Sequence, residues 1–285
     1  MLSVTEQKGR KLNWLDKNLP EGLLVNSAWF AKHGFSTSLV RQYVLAGWLE
    51  QPTRGVYRKP RGRLTWQQAI ISLQTIILDD AIIVGGRTAL NLQGFAHYLQ
   101  QQKTVVHLYS PKPLPSWLKQ LKLDVRLVHH NANKLFNADP VTYGLSSLQF
   151  DIKANTGASN DPLQRGLTFQ PWGTWDWPLT LSTPERAILE TLDELPDHES
   201  FDQADKLMEG LTNLSPRRLR KLLTDCRSVK VKRLFFFFAD RHTHAWRQHL
   251  KKEEFNLGSG KRMLVKGGKL DPTYLITVPE DLNGV

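Results

Sequence analysis

The stretch from Asn26 to Pro60 constrains the fold more than any other part of this 285-residue chain. Asn26 or Ser27 stands where a helix N-cap belongs, ahead of Trp29, Phe30 and Lys32. His33-Gly34 supplies a tight turn. Ser36 or Thr37 then opens a helix to about Ala46, and Gly47 closes it. Leu39, Val40, Tyr43 and Val44 form the apolar stripe of that helix. Two short helices joined by a turn containing glycine are the helix-turn-helix pattern. Trp48–Gln51 and Val56–Pro60 read as extended, on either side of Pro52-Thr53-Arg54-Gly55, so a hairpin with a basic tip follows. Upstream, Leu12, Leu15 and Leu19 recur at helical spacing from Thr5 onward, until Pro20-Glu21-Gly22 ends the helix. The pattern predicts a winged helix-turn-helix domain over residues 1–63.

Charge agrees with a polyanionic partner for this segment. The net charge of the chain is +11. Residues 1–63 hold 11 Lys/Arg against four acidic side chains, so most of the excess sits on less than a quarter of the chain. A concentrated positive surface gains from phosphates by releasing condensed counterions, although a basic face also serves solubility. In such motifs the second helix of the pair lies with its N-terminal half in the major groove of double-stranded DNA. Its outward residues are Thr37, Ser38, Arg41 and Gln42. Arg and Gln suit bidentate contacts to guanine and adenine edges. Ser36, Thr37 and Ser38 are short enough to bond phosphates at the helix N-terminus. Arg54, Arg58 and Lys59, on the hairpin, are expected at flanking backbone or minor groove.

Residues 64–285 read as a larger domain in which helices and strands mix, giving an α+β or α/β chain overall. Thr65 caps a helix over Trp66–Leu78. Ala81–Val84, Lys103–Tyr109 and Leu123–Val128 read as strands, and Arg87–Leu92 as a short helix. Residues 155–177 show no clear period. Thr183-Pro184 and Ser215-Pro216 open two helices. Phe235–Phe238 demand burial in either helix or strand. Met263–Val265 and Leu275–Val278 are expected as strands around a turn at 266–269. Arg217, Arg218, Arg220, Lys221, Arg227, Lys230, Lys232 and Arg233 stand against Asp225 alone, which reads as a second basic surface for DNA or RNA or as a solvated helix face.

Signatures of catalysis fail or stay weak. Leu257–Arg262 resembles a phosphate loop, but Phe255 replaces its first glycine and Arg262 its Ser/Thr. Gly85-Gly86 suggests nucleotidyl transfer, yet no Asp or Glu follows before Asp124 to hold magnesium. Asp139, Asp151 and Lys153 match a short nuclease pattern, which leaves a metal-dependent nuclease steered by the winged helix as one alternative. A repressor that senses a ligand through its second domain is another. Asp240, His242, His244 and His249 offer zinc-ligating atoms, but surface or capping roles suit them better. The lone Cys226 makes neither an internal disulfide nor a thiolate cluster. The reading is a protein without catalytic residues, metal or cofactor. No apolar run suits a bilayer and no signal peptide is visible, so a cytoplasmic protein with no membrane partner is expected.

Five segments resemble the AbiEi antitoxins, transcriptional regulators of type IV toxin–antitoxin systems. They are Asn26–Tyr57 with GWLEQPTRGVYR, VGGRTALNLQGFAHYL at Val84–Leu99, STPERAILETLDELP at Ser182–Pro196, CRSVKVKRLFFFFADRHTHAW at Cys226–Trp246, and LGSGKRMLVKGGKL at Leu257–Leu270. The resemblance implies a repressor that binds inverted repeats in its own promoter, with a C-terminal domain that counteracts a nucleotidyltransferase-like toxin without a stable complex. It implies no catalytic residue.

Overall fold

The structure is a computed structural model that describes residues 4–77, 82–95, 104–137 and 166–283. The chain opens with α1 (Val4–Asn18), β1 (Val25–Asn26), α2 (Ser27–Lys32), α3 (Thr37–Leu45), β2 (Glu50–Thr53) and β3 (Val56–Arg58). The strands form an antiparallel sheet in the order β1-β3-β2. This is the winged helix. Its helix starts are fixed by side chains: the Asn26 carboxamide accepts from the Trp29 N–H at 2.9 Å, and the Ser36 hydroxyl from the Leu39 N–H at 3.3 Å. Leu15, Leu19, Val25, Phe30, Phe35, Leu39, Val40, Tyr43 and Leu49 form its core. Phe30 meets Phe35 and Tyr57 edge to face, at centroid separations of 5.5 and 5.4 Å.

The larger part begins with α4 (Trp66–Ser72), whose start is a reciprocal capping box between Thr65 and Gln68. Instead of one helix to Leu78, α-helical geometry ends at Ser72 and a π turn spans Leu73–Ile77. Then follow β4 (Ile83–Val84), α5 (Gly86–Leu92), β5 (Val105–Ser110), β6 (Arg126–Asn131), β7 (Leu167–Trp172) and β8 (Trp177–Ser182). They make a mixed sheet in the order β6-β5-β4-β8-β7. The aperiodic region therefore holds β7 and the turn into its antiparallel partner β8, which begins at Trp177. Four helices complete the fold: α6 (Pro184–Asp193), α7 (Phe201–Gly210), α8 (Pro216–Asp225) and α9 (Val229–Arg241). Phe235–Phe238 lie in α9, buried on every side. The last hairpin differs from expectation. It pairs β9 (Lys269–Asp271) with β10 (Ile276–Val278), while Met263–Val265 is not a strand. Leu264 and Val265 instead donate their N–H groups to the Thr277 hydroxyl at 2.8 and 2.9 Å.

One core runs from the winged helix into the rest of the chain. Leu23, Leu24 and Val56 are buried with Ile70, Ile71 and Leu73 in the large cluster, and the Leu24 N–H donates to the Ser72 hydroxyl at 2.7 Å. Beside it lies a buried polar knot. Glu190, fully enclosed, accepts from the Gly86 N–H at 2.7 Å, the Ser182 hydroxyl at 2.8 Å and Arg186 Nε at 2.6 Å. A β-carbon added at Gly85 would lie 2.4 Å from Glu190 Oε2 and 2.5 Å from the Tyr109 ring. The two glycines thus serve helix–sheet packing around a buried carboxylate. This is a structural account of the Val84–Leu92 and Ser182–Asp193 segments that needs no nucleotide.

Candidate nucleic-acid interface

On α3 the apolar stripe decides what remains for a ligand. With Leu39, Val40 and Tyr43 buried, Ser36, Thr37, Ser38, Arg41 and Gln42 all stand exposed. The Ser36 and Ser38 hydroxyls lie 3.0 Å apart at the helix start. Among the described residues Arg41 and Arg54 make no ion pair, so both guanidiniums keep five N–H donors for a ligand. Arg54 sits at the tip of the β2–β3 hairpin. The Gly55 carbonyl beside it accepts from the Ser27 N–H at 3.0 Å, which ties the wing to the start of α2.

Two of the expected contacts are corrected. Strand alternation turns Arg58 to the same side as Val56, into the core, where it is 0% exposed. Its Nε faces Glu50 at 2.5 Å, and its Nη2 donates to the Arg61 carbonyl at 2.6 Å and also to Gly62. Lys59 is likewise buried. Its ammonium donates to the Asp16 carbonyl at 2.5 Å and pairs with the Asp16 carboxylate at 3.1 Å. Both cations hold the wing to the domain instead of standing free on its surface.

The second basic cluster also divides. Arg217 and Lys221 are exposed on α8 without an ion pair among the described residues. Arg218 pairs with Glu185 at 2.8 Å and Arg220 with Glu254 at 3.0 Å. Arg227 donates to Asn137 Oδ1 at 2.8 Å, and Lys230 to the Asp193 and Leu195 carbonyls at 2.6 and 2.8 Å. Lys232 is buried. Arg233 is 2% exposed and bonds the Leu257, Gly260 and Leu275 carbonyls. The eight residues are not one free surface: Lys232 and Arg233 are buried, and Arg218, Arg220, Arg227 and Lys230 are engaged by neighbouring groups.

The structure adds cations that sequence reading passed over. The Thr53 hydroxyl on the wing donates to Gln120 Oε1 at 2.7 Å. Lys119 and Lys122, both exposed, flank that contact on a 3₁₀ turn (Ser116–Gln120) and its exit. No local motif marks them, since their relevance comes from contact with the wing, 67 residues away in the chain.

Other candidates for chemistry have structural partners. His242 lies 2.9 Å from Asp205, and His244 Nε2 2.9 Å from the Met208 carbonyl. Asp240 is occupied by Tyr274 and Arg247. No group of three His, Cys, Asp or Glu side chains among the described residues could hold a metal ion. Asp139, Asp151 and Lys153 lie outside the described residues. A further chain runs from Glu194 Oε1 to His130 Nδ1 at 2.9 Å and from His130 Nε2 to His107 Nδ1 at 2.9 Å. Burial, then the neighbouring His130, push the His107 imidazole down to about 4. Cys226 is buried and its thiol is pushed up to about 11 by that burial, so it is not a reactive thiolate. Among the described residues no helix is long and apolar enough to cross a membrane.

Two family profiles together span nearly the whole chain. One, described as AbiEi antitoxin N-terminal domain of a transcriptional regulator, matches residues 8–101. The other, described as transcriptional regulator, AbiEi antitoxin, type IV TA system, matches residues 103–279. The chain belongs to the AbiEi antitoxin family. In this AbiEi chain the family divides near residue 102, so α4, β4 and α5 fall with the winged helix in the N-terminal profile. The fold resembles the crystal structure of the RV2827C protein from Mycobacterium tuberculosis. The TM-score is 0.55 at 17% identity, with 94% of this chain and 89% of that one covered. No curated protein matches the sequence significantly.

Proposed function

We propose that this AbiEi-family protein represses its own operon by seating α3 in the major groove of promoter inverted repeats, and that it counteracts a nucleotidyltransferase-like toxin without forming a stable complex with it. The observation that carries the DNA half is the outward face of α3, where Thr37 and Ser38 lie exposed at the capped start of the helix and Arg41 and Gln42 at its middle. Arg41 and Gln42 read base edges. Ser36, Thr37 and Ser38 hold phosphate beside the helix start, and Arg54 reaches the flanking backbone. Lys119 and Lys122 extend the phosphate track beside the wing, and Arg217 and Lys221, exposed and without an ion pair among the described residues, remain for a second polyanion surface. Residues 1–63 carry the sequence reading and residues 64–285 the antitoxin activity. The protein acts by binding, as a cytoplasmic non-enzyme without metal or cofactor.

A reporter driven by the native promoter, measured in cells beside toxin co-expression, tests both halves. The reading expects an Arg41→Ala, Gln42→Ala double variant to lose repression while still rescuing growth. Full repression by that variant refutes the assignment of α3, and failure of the unaltered chain to rescue growth refutes the antitoxin half.

A further inference from the structure

A cleft of about 350 Å³ opens on the winged helix between α1, the turn that leaves α3, and the strand that leaves the wing. Its walls are Leu12, Leu15, Trp48 and Pro60, with Lys59 and Arg61 among the lining. Two features set it apart from an ordinary surface dent. The Trp48 indole that lines it is 56% exposed, in a domain whose other aromatic side chains from Trp29 to Tyr57 are packed together. Large apolar side chains left in water beside a concave site are a mark of ligand binding. The second feature is the Lys59 ammonium, whose side chain is only 10% exposed. An ammonium has three donors, and the described residues provide Lys59 with two acceptors, both on Asp16.

The lining also selects a ligand class. An indole face and aliphatic walls favour a flat aromatic body, and its anionic group would meet the Lys59 ammonium, beside Arg61, whose Nη1 already pairs with Glu21. Among the described residues Asp16 is the only acidic one lining the cleft, and its carboxylate is largely solvated and already engaged by Lys59. A cationic ligand would have to displace the amine, whereas a carboxylate completes it.

The site is wired to both parts that would touch DNA. The Trp48 and Leu49 N–H groups both donate to the Tyr43 carbonyl of α3, at 2.9 and 3.2 Å. Lys59 directly follows β3 of the wing. A ligand pressing on Trp48 and Lys59 therefore acts on the helix and the wing together. We propose that this cleft binds a small aromatic carboxylate, and that occupancy changes the affinity of the winged helix for DNA. The second clause rests on the DNA-binding reading above; the first does not.

The test uses naphthoate as probe and the full chain, by isothermal titration calorimetry without DNA. One-to-one saturable binding is expected, with a dissociation constant below about 1 mM. Trp48→Ala, which removes the stacking face, and Asn13→Trp, which fills the cleft from its exposed rim, should each weaken binding about tenfold or more at unchanged melting temperature. Naphthylmethanol, which lacks the carboxylate, should bind about tenfold more weakly than naphthoate. Absence of saturable binding, or equal binding by both variants, overturns the proposal. The titration is then repeated on promoter DNA. A shift of about fivefold or more in DNA affinity with naphthoate, absent in Trp48→Ala, supports the regulatory clause. Binding of naphthoate with no effect on DNA affinity overturns that clause alone. Failure of the probe-free protein to bind promoter DNA overturns the DNA reading and leaves the cleft's ligand chemistry standing.

Discussion

Replacing Arg58 by alanine separates this structure from the simple picture of a basic wing. The guanidinium is fully buried, paired with Glu50 and bonded to the Arg61 and Gly62 carbonyls. Breaking a buried ion pair by removing one partner costs about 3–5 kcal/mol. Here the lower end applies, because the Glu50 side chain is 43% exposed and water can resolvate it once its partner is gone. The expected loss is about 3 kcal/mol, which lowers the melting temperature by about 6–12 °C for a chain of this size. Arg54→Ala, at the exposed tip of the same hairpin, should change stability by less than about 0.5 kcal/mol. On DNA the order reverses. Arg54→Ala should reduce the slope of log affinity against log salt by about one unit, and Arg58→Ala should leave that slope unchanged at temperatures where the protein stays folded. Thermal melts and fluorescence anisotropy on a salt series read both quantities. If Arg58→Ala melts like the unaltered protein and loses a unit of salt slope, then Arg58 faces phosphate and the burial argument is wrong.

Three further perturbations probe the rest of the chain. Gly85→Ala forces a β-carbon against Glu190 and Tyr109 and should destabilise by at least about 2 kcal/mol in urea titrations; a neutral result would mean that the glycine pair is kept for something other than packing. Arg233→Met removes the donor shared by the Leu257, Gly260 and Leu275 carbonyls, so trypsin should cut at Lys261 or Arg262 much faster than in the unaltered protein, and an unchanged cleavage rate would refute the anchoring role. Stability should also depend on pH through His107. Its pKa is about 4 folded against about 6.5 unfolded, so the unfolded chain takes up the proton first. The contribution is complete above about pH 6.5 and is lost as pH falls toward 4, by at most about 3 kcal/mol. His107→Gln should flatten that part of the pH–stability curve, and an unchanged curve would remove His107 as its source.

The sequence made α3 legible because its cap, stripe and closing glycine agree. Asn26 and Ser36 do cap helices, and the outward set from Thr37 to Gln42 is exposed as its spacing requires. At Arg58 the charge points to DNA while the strand period points inward, and the period wins. Val56 and Arg58 are two apart on a strand, so burial of one implies the same side for the other, and that signal was present in the letters. Phe235–Phe238 could not be assigned by length, because a helix buried on all sides has no polar face to reveal its period. Helix α7 carries its signal locally, since Phe201, Ala204, Leu207 and Met208 keep helical spacing behind the Ser200 cap. The final hairpin slipped for a tertiary reason. Thr277 satisfies Leu264 and Val265 through its side chain, so an apolar triplet that resembles a strand is bound without joining the ladder. The contact between the wing and the turn that carries Lys119 was invisible for the same reason, since no local rule pairs Thr53 with Gln120.

The central claim is that α3 reads sequence while the wing and its neighbours hold phosphate. It is tested most directly by anisotropy titrations of the full chain and of Arg41→Ala on promoter duplex and on a scrambled duplex, across a salt series. The account predicts that the unaltered chain prefers the promoter. It predicts that Arg41→Ala loses about 1–3 kcal/mol on the promoter and little on the scrambled duplex, so that the preference collapses while weak salt-dependent binding remains. Equal losses on both duplexes, or an unaltered chain that binds both alike, would contradict it.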